Sequence, residues 1–253
     1  TKKKISAIIV VHCFGNLVNL DKLTKICNKR KIPIIEDAAG GLGSFYSSGK
    51  FKGMHAGTVG FLGCLSFNSN KIITTGGGGM ILTKSFKLAK RIKYLINQAK
   101  NDPVRYIHNE IGYNFRLTGL QAAFGLSQLK NISKFINKKK KIHEYYLKKV
   151  KLIKGLSVLK ISNHTKSNYW LNVLIVDKKN NKLNPDRLIK KFSKQNIQVR
   201  YVWHPNHLQK PYKKFQKYKI NFASKLVCKA ICLPSSSKLS KLDIKRVVGV
   251  LND

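Results

Sequence analysis

Ile32-Pro-Ile-Ile-Glu-Asp37 is the stretch that decides the fold of this chain. It is a short apolar run that ends in two adjacent carboxylates, in a chain with only 10 acidic residues. Such a run is typical of a strand buried on both faces of a parallel sheet. In open α/β sheets, ligands bind beyond the carboxyl ends of the strands. Glu36 and Asp37 therefore either belong to a functional site or cap the turn and pair with a lysine, and this stretch alone favours neither alternative.

Strand and helix patterns alternate on both sides of this stretch. Residues 5–11 form another continuous apolar run, which predicts a strand, and Asn19 is placed to cap a helix after it. Residues 59–67 and 80–83 predict two further strands, and Ser85 opens a helix with apolar residues at helical spacing. This β-α-β alternation predicts an α/β fold with a mainly parallel sheet covered by helices.

The pattern changes at Thr118-Gly-Leu-Gln121, which fits a capping box and predicts a long helix that ends near Gly155. A smaller α+β unit is predicted beyond it. Its predicted strands cover residues 169–176 and 197–203, and its predicted helices open at Asn184-Pro185 and at Ser240. The predicted parts of the chain are a large domain over residues 1–117, a long connecting helix over 118–154, and a small C-terminal α+β domain over 155–253.

The charge of the chain is strongly positive. Its 50 basic residues face 10 acidic ones, giving a formal net charge of +40, so a nucleic-acid-binding protein is an alternative to consider. Only seven of the basic residues are arginines, the usual choice for bidentate recognition of phosphates and bases. The lysines are scattered through every segment, and the densest run, Lys138-Lys-Lys-Lys141, predicts a solvated helix face. The charge alone does not decide the function; the ordered motifs described below are the reason that we expect no nucleic-acid partner.

The cysteines and the apolar runs bear on location. The five cysteines are odd in number and form no C-x-x-C pair, which indicates reduced, mostly buried thiols in a cytoplasmic protein and no metal site. No run approaches the ~20 apolar residues that a membrane span needs. The apolar run at 5–11 lacks a small-residue cleavage site and is followed by His12, so a strand is a better interpretation than a signal peptide. The prediction is a cytoplasmic protein without a membrane segment.

A second motif follows the strand predicted at residues 59–67. It reads Ser66-Phe-Asn-Ser-Asn-Lys71-Ile-Ile-Thr-Thr-Gly76, and three more glycines come next. In a chain with 43 lysines a single lysine is ordinarily a surface residue. The glycines lack the spacing of a Walker A or Rossmann fingerprint and are also explained by close backbone packing. Taken separately, neither feature is specific.

Taken together and in this order, the motifs resemble the DegT/StrS-type pyridoxal-phosphate (PLP) nucleotide-sugar aminotransferases. The resemblance runs through essentially the whole chain. It is carried by Ile34-Ile-Glu-Asp-Ala-Ala39, Leu42-Gly-Ser44, Ser66-Phe67, Lys71-Ile-Ile-Thr-Thr-Gly76, Asn109-Glu-Ile-Gly-Tyr-Asn-Phe-Arg-Leu-Thr118, Leu120-Gln-Ala-Ala123 and Trp203-His-Pro-Asn-His-Leu-Gln-Lys-Pro-Tyr212. The resemblance implies an aspartate-aminotransferase-like fold (fold type I), with residues 1–117 as the remainder of an incomplete PLP-binding large domain.

The resemblance also implies roles for four residues. Lys71 would form the Schiff base with PLP and shuttle a proton, which requires a neutral amine. Asp37 would pair with the protonated pyridine nitrogen, and Ser66 would donate to the cofactor phosphate. Asn114 matches a residue that reaches the phosphate from the neighbouring subunit, so a homodimer is expected.

The expected reaction is transamination of a nucleotide-linked 4-keto-6-deoxy sugar, with glutamate as amino donor. Two segments, at residues 98–108 and 167–172, look like the branch that aminates a UDP-linked N-acetylhexosamine for bacillosamine- or legionaminate-type sugars. Arg200, His204 and His207 are candidates for the nucleotide-sugar side, although packing explains the histidines equally well. Amination of a GDP-sugar, as in perosamine synthesis, is the alternative. Lys71 argues against a dehydratase of the same fold, since those relatives carry histidine there.

Two departures from the family pattern stand out. Members usually carry Gln, His or Glu against the cofactor ring three residues after the aspartate, whereas this chain has Gly40. The family's N-terminal stretch, with a phosphate-binding turn and an aromatic residue that stacks on PLP, is expected before the strand at residues 5–11 and is absent from these residues. The activity is accordingly expected of a complete protein, and a truncated non-catalytic homologue is a further alternative.

Overall fold

A computed structural model of the chain describes residues 4–177 and 184–252. The chain divides into two compact units, Thr1–Ile136 with Ser162–Trp170 and Asn137–Ile161 with Leu171–Asp253. The strands are β1 (Ile8–Val11), β2 (Ile34–Asp37), β3 (Phe45–Tyr46), β4 (Leu62–Ser66), β5 (Gly79–Leu82), β6 (Lys100–Asp102), β7 (Ile107–His108), β8 (Leu156–Val158), β9 (Thr165–Lys166), β10 (Asn172–Val176), β11 (Arg200–Tyr201) and β12 (Ala230–Leu233). The α-helices are α1 (Asp21–Lys29), α2 (Phe86–Leu95), α3 (Gly119–Leu129), α4 (Ile132–Val150), α5 (Pro185–Lys194), α6 (Asn221–Val227) and α7 (Lys241–Asn252).

The first unit is built on a four-stranded sheet in the order β1-β2-β4-β5. β1, β2 and β4 are parallel, and β5 is antiparallel to β4. The predicted α/β class and mainly parallel sheet are confirmed, with strands shorter than the apolar runs that predicted them. The register places Val11, Asp37 and Cys64 side by side on three adjacent strands. The sheet therefore brings the carboxyl end of β2 next to the last residues of β4.

The predicted helix starts are confirmed where a side chain caps the first turn. Ser85 Oγ accepts from the Leu88 N–H at 3.2 Å, and Asn184 Oδ1 accepts from the Arg187 N–H at 2.8 Å. Thr118 and Gln121 form the complete capping box. These caps satisfy backbone donors that the first helical turn leaves unpaired.

The long helix predicted over residues 118–154 is wrong as a single element, because two helices occupy this stretch. α3 ends at Leu129, and α4 begins at Ile132. At the break, Asn131 Nδ2 donates to the Ser127 carbonyl at 3.2 Å, and the Asn131 N–H bonds to the Gln128 carbonyl at 2.9 Å. A short polar side chain that bonds the preceding turn competes with helix continuation. The domain boundaries at residues 117 and 154 stay predictions.

The second unit contains an antiparallel sheet in the order β11-β12-β10-β8. Its core combines this sheet with α4, α5 and α7, and its most buried large side chains are Tyr146, Phe192, Leu174, Leu188 and Ile231. The strand predicted over residues 197–203 is reduced to Arg200–Tyr201. Val202 is buried, whereas its neighbours Tyr201 and Trp203 are 50 % and 54 % exposed, so these two apolar residues do not form the buried face of a strand.

One lysine of the run 138–141 departs from the predicted solvated face. Lys139 is 6 % exposed, and its Nζ donates to the Ser235 carbonyl. Burial lowers the pKa of Lys139 to about 8. A polar cluster surrounds this part of α4, since His143 Nδ1 lies 2.7 Å from Asn172 Oδ1 and the Tyr146 hydroxyl donates to the Pro234 carbonyl at 2.9 Å. Lys139 lies at helical spacing from Ile142 and Tyr146, on the buried stripe of α4, whereas the other three lysines of the run lie off it.

We expect Lys139→Met to raise the free energy of unfolding at pH 7 by about 1–3 kcal/mol. The folded pKa lies below the unfolded value, so the folded state is penalised for holding the proton at neutral pH, and this penalty disappears as the pH rises above the unfolded pKa. The gain should therefore shrink between pH 8 and about 10.5. Urea unfolding across this pH range measures the difference in free energy of unfolding between the variant and the unsubstituted protein. The exposed neighbour Lys138→Met is the control, and an equal gain there would contradict the assignment to burial.

Candidate functional site

Asp37 is the last residue of β2 and lies at the carboxyl edge of the first sheet. Its Oδ1 accepts from the Ala39 N–H at 3.1 Å, which fixes the carboxylate at the start of the following turn. The side chain is half-buried, and Cys64 is its neighbour on β4. Burial and the Asp37 charge both raise the pKa of the Cys64 thiol and of the Cys13 thiol. The Asp37 carboxylate therefore acts on both thiols at this edge of the sheet.

Glu36, the other member of the acidic pair, has a structural environment. It is fully buried, and one carboxylate oxygen lies 2.9 Å from His12 Nε2 and accepts from the Gly57 N–H at 3.0 Å. The other oxygen accepts from the backbone N–H groups of Val59 and Gly60. His12 Nδ1 accepts from the Val18 N–H, so its proton is on Nε2 and points to Glu36. Glu36 therefore has the structural role, with His12 as its partner in place of a lysine, and the functional role of Asp37 stays a prediction.

Lys71 lies in the turn that follows β4. Its backbone N–H bonds to the Asn68 carbonyl at 3.0 Å, and its Nζ lies 3.8 Å from the centroid of the Trp170 ring. Burial lowers the pKa of the Lys71 amine, and the charge of Asp37 opposes this shift without cancelling it. A lowered pKa increases the fraction of neutral amine, the form that acts as nucleophile and base. The structure therefore places the Lys71 amine close enough to the Asp37 carboxylate for the two charges to interact.

Ser66 ends β4 two residues after Cys64, and side chains alternate along a strand, so both lie on the same face as Asp37. Its Oγ accepts from the Asn68 N–H at 3.4 Å, which places the hydroxyl at the start of the turn that holds Lys71. Asn114 is exposed, in a short bridge to Asn97 on another part of the first unit. Ser66 thus belongs to the cluster with Asp37 and Lys71, and the role predicted for Asn114 stays a prediction.

The candidate nucleotide-sugar residues all lie in the second unit. Arg200 is exposed at the start of β11, and His204 lines a cleft of about 430 Å³. The Ser224 hydroxyl donates to the Ile220 carbonyl, so it accepts from His207 Nε2 at 3.0 Å. His207 therefore contacts the first turn of α6 through Ser224. This hydrogen bond favours the packing alternative over a substrate role for His207. The substrate roles of the other two stay predictions.

Trp170 belongs to the site, and the sequence assigned it no role. It is 4 % exposed and lies within the branch-like segment of residues 167–172. Its Nε1 donates to the Asn70 carbonyl at 2.7 Å, next to Lys71. A Cβ added at Gly40 would lie 2.4 Å from Trp170 Cε3, so the ring fills the space that a larger residue would take. The rarity of tryptophan, two in the chain, was the available signal.

The residues present fit PLP. A half-buried amine of lowered pKa, a carboxylate in its electrostatic range and a hydroxyl on the same sheet face supply the three kinds of contact that the aldehyde, the protonated ring nitrogen and the phosphate require. Among residues 4–177 and 184–252, no three His, Cys, Asp or Glu side chains are grouped closely enough to hold a metal ion. None of the helices in these ranges is long and apolar enough to cross a membrane.

Comparison with known proteins identifies the family of the chain. Residues 1–252 match the DegT/DnrJ/EryC1/StrS aminotransferase family. The chain is 33 % identical over 249 residues to the putative pyridoxal phosphate-dependent aminotransferase EpsN of Bacillus subtilis, covering 97 % of this chain and 62 % of the relative. It is 32 % identical over 251 residues to a GDP-perosamine synthase of Escherichia coli O157:H7, covering 99 % and 66 %.

The fold has counterparts among solved structures. A crystal structure of DesI in the presence of its TDP-sugar product superposes with a TM-score of 0.89 at 23 % identity, over 99 % of this chain and 62 % of that one. The chain thus spans slightly less than two thirds of the length of these proteins. The expected fold type I architecture is confirmed. With the ordered motifs, the Asp37–Lys71 cluster and the family match in agreement, the chain belongs to the DegT/DnrJ/EryC1/StrS aminotransferase family, whose aminotransferases are PLP-dependent.

Proposed function

We propose that the complete protein aminates a keto group of a nucleotide-linked 4-keto-6-deoxy sugar, with PLP as cofactor and glutamate as amino donor. The observation that carries this proposal is the Lys71 amine, half-buried and of lowered pKa, held near the Asp37 carboxylate at the carboxyl end of β2. Lys71 argues against a dehydratase of the same fold, because the family resemblance implies histidine at this position in a dehydratase. The strong positive charge needs no nucleic-acid partner to explain it, because lysines are spread over the whole chain.

Each residue of the cluster has a distinct task in this proposal. When bound, PLP supplies an electron sink for the electron pair left on carbon when a C–H bond breaks. Lys71 would hold the cofactor through Nζ and, as a neutral amine, would accept and return the proton of that C–H bond. Asp37 would pair with the protonated ring nitrogen, since a fixed carboxylate favours a positive charge beside it. Ser66 would donate its hydroxyl hydrogen to the phosphate.

The sugar proposed first is a UDP-linked N-acetylhexosamine. Its support is the pair of branch-like segments, of which residues 98–108 form the β6–β7 hairpin. This hairpin has a defined and strained backbone, because Gln98, Ala99 and Tyr106 all have positive φ. Such strain is often found at functional loops. A GDP-linked sugar is the second candidate, supported by the 32 % identity to a GDP-perosamine synthase. We also propose that the enzyme is a homodimer and that it is located in the cytoplasm.

Substrate choice is tested by mass spectrometry of the amino-sugar product. The protein is incubated with PLP, glutamate and either a UDP- or a GDP-linked 4-keto-6-deoxy sugar. We expect amino product from the UDP-linked substrate at least about tenfold faster, a difference of ~1.4 kcal/mol in the barrier. Faster amination of the GDP-linked sugar would replace the first candidate by the second. No product from either substrate, in protein that carries PLP on Lys71, would identify a non-catalytic homologue.

A further inference from the structure

The ring of Trp170 occupies the space that a side chain at position 40 would need. A Cβ built on Gly40 would come within 2.4 Å of Cε3 and 2.6 Å of Cζ3, closer than real Cβ contacts. Even an alanine at position 40 therefore requires the ring to move. The Trp170 ring can therefore occupy this space only because residue 40 is a glycine, which has no side chain.

The indole ring is held from two directions. Its Nε1 donates to the Asn70 carbonyl at 2.7 Å, and the Trp170 backbone N–H donates to Asn168 Oδ1 at 2.9 Å. Asn168 is fully buried, and its Nδ2 donates to the carbonyl groups of Gly40 and Leu42 at 2.9 and 2.8 Å. The segment that carries Trp170 is therefore tied both to the loop after Asp37 and to the residue before Lys71.

This fixed ring lies directly against the Lys71 amine. Nζ is 3.8 Å from the ring centroid, well inside the ~6 Å range of a cation–π contact. A lysine side chain has four rotatable bonds and needs a neighbouring surface to restrict it. The ring provides that surface at the amine itself. At a catalytic group, placement of the reacting atom to within about 1 Å decides the rate.

We propose that Trp170 is a positioning residue for the Lys71 amine, and that it takes the place left open by the glycine at position 40. The consequence for catalysis rests on the proposed function, but the contact itself does not. With a longer side chain at position 40 of this chain, the ring could not lie where it lies here. Gly40 and Trp170 then act as one unit, so their substitutions should not be additive.

The contact is tested without cofactor by fluorescence. In a Trp203→Phe background Trp170 is the remaining tryptophan, and its emission should titrate with the Lys71 amine, with a midpoint below that of a solvated lysine. The additional substitutions Lys71→Met and Gly40→Ala should each remove this titration. A titration unchanged by Lys71→Met, or unchanged by Gly40→Ala, would overturn the proposal.

Positioning is tested by the rate at which PLP becomes attached to Lys71, measured by borohydride quenching and peptide mass. Trp170→Phe, which keeps a ring, should lose less than about threefold. Trp170→Leu, which keeps apolar bulk, and Gly40→Ala should each lose about tenfold or more. The double variant Gly40→Ala/Trp170→Leu should be no worse than either single one. Circular dichroism verifies that each variant is folded.

The outcomes separate the two proposals. Normal attachment in folded Trp170→Leu and Gly40→Ala would show that something else positions the amine. Equal losses in Trp170→Phe and Trp170→Leu would assign the effect to the Nε1 hydrogen bond and overturn the role of the ring. If PLP does not attach to Lys71 even in the unsubstituted protein, the proposed function fails, while the fluorescence titration still decides whether Trp170 and Gly40 place the amine.

Discussion

Replacing Lys71 with alanine is expected to lower the transamination rate by about 10³-fold or more, since a positioned acid–base group contributes typically 10²–10⁴-fold and the covalent link to the cofactor is lost with it. Steady-state amino-sugar formation at saturating PLP, glutamate and sugar measures this. The amine has a lowered pKa through burial, near the Asp37 charge, which suits it to proton transfer.

Two controls sharpen this prediction. Lys71→Arg keeps the positive charge but not a group that loses its proton, so it should be as inactive as the alanine variant. Lys52→Ala removes an exposed lysine of the same unit and should change the rate less than twofold. Activity of Lys71→Arg near that of the unsubstituted protein would contradict a base or linking role for this amine. Equal losses at Lys52 and Lys71 would indicate a non-specific effect of charge.

Replacing Glu36 with glutamine is expected to destabilise the protein by about 3–5 kcal/mol, as for loss of one partner of a buried pair. The carboxylate accepts from four donors, His12 Nε2 and the N–H groups of Gly57, Val59 and Gly60. A glutamine amide group would place its own donors against some of them, and buried donors would lose their partners. Equilibrium unfolding in urea measures the loss.

Asp37→Asn is the matched control for this prediction, because it makes the same chemical change one residue away. Asp37 is half-buried, and within residues 4–177 and 184–252 its carboxylate accepts a single backbone hydrogen bond, from the Ala39 N–H. It should lose less than about 1 kcal/mol of stability, within the usual range for one such bond, but most of its transamination activity. A stable Glu36→Gln, or a strongly destabilised Asp37→Asn, would contradict the division of the acidic pair into a structural and a functional member.

The Glu36 effect should also depend on pH. Burial by itself raises the pKa of Glu36, but hydrogen bonds from His12, Gly60 and Gly57 outweigh it, so the folded pKa lies below the ordinary value. The stabilisation is therefore fully present above pH ~4.5 and is lost as the pH falls through the folded pKa. The difference between the unsubstituted protein and Glu36→Gln should shrink in acid. A difference that grows below pH 4 would contradict this sign.

The sequence predicted best those features that depend on neighbouring residues. The caps at Ser85, Thr118 and Asn184 are each made by a side chain to an N–H three residues on, so the local pattern was sufficient. The break at Asn131 was missed because the apolar stripe continues across it. The burial of Lys139 was not predicted because lysine is ordinarily a surface residue, although its helical spacing places it on the buried stripe of α4; its partner, the Ser235 carbonyl, lies 96 residues away.

In the candidate site, too, local sequence patterns did not predict the contacts between distant segments. Strand alternation places Glu36 and Asp37 on opposite faces, but it cannot tell which face carries His12 and which carries Lys71. Gly40 was recognised as a departure, yet the ring that fills its space comes from Trp170, 130 positions along the chain. Contacts between such distant segments depend on the assembled fold and not on any local pattern.

The central claim is that Lys71, and not another lysine, carries the cofactor. It is tested most directly by adding PLP, recording the absorbance spectrum, reducing with borohydride and mapping the labelled peptide by mass spectrometry. The account predicts a visible absorbance band that reduction removes, one stoichiometric label on Lys71, and neither in Lys71→Ala. A label spread over surface lysines, or one that persists in the folded Lys71→Ala protein, would contradict it.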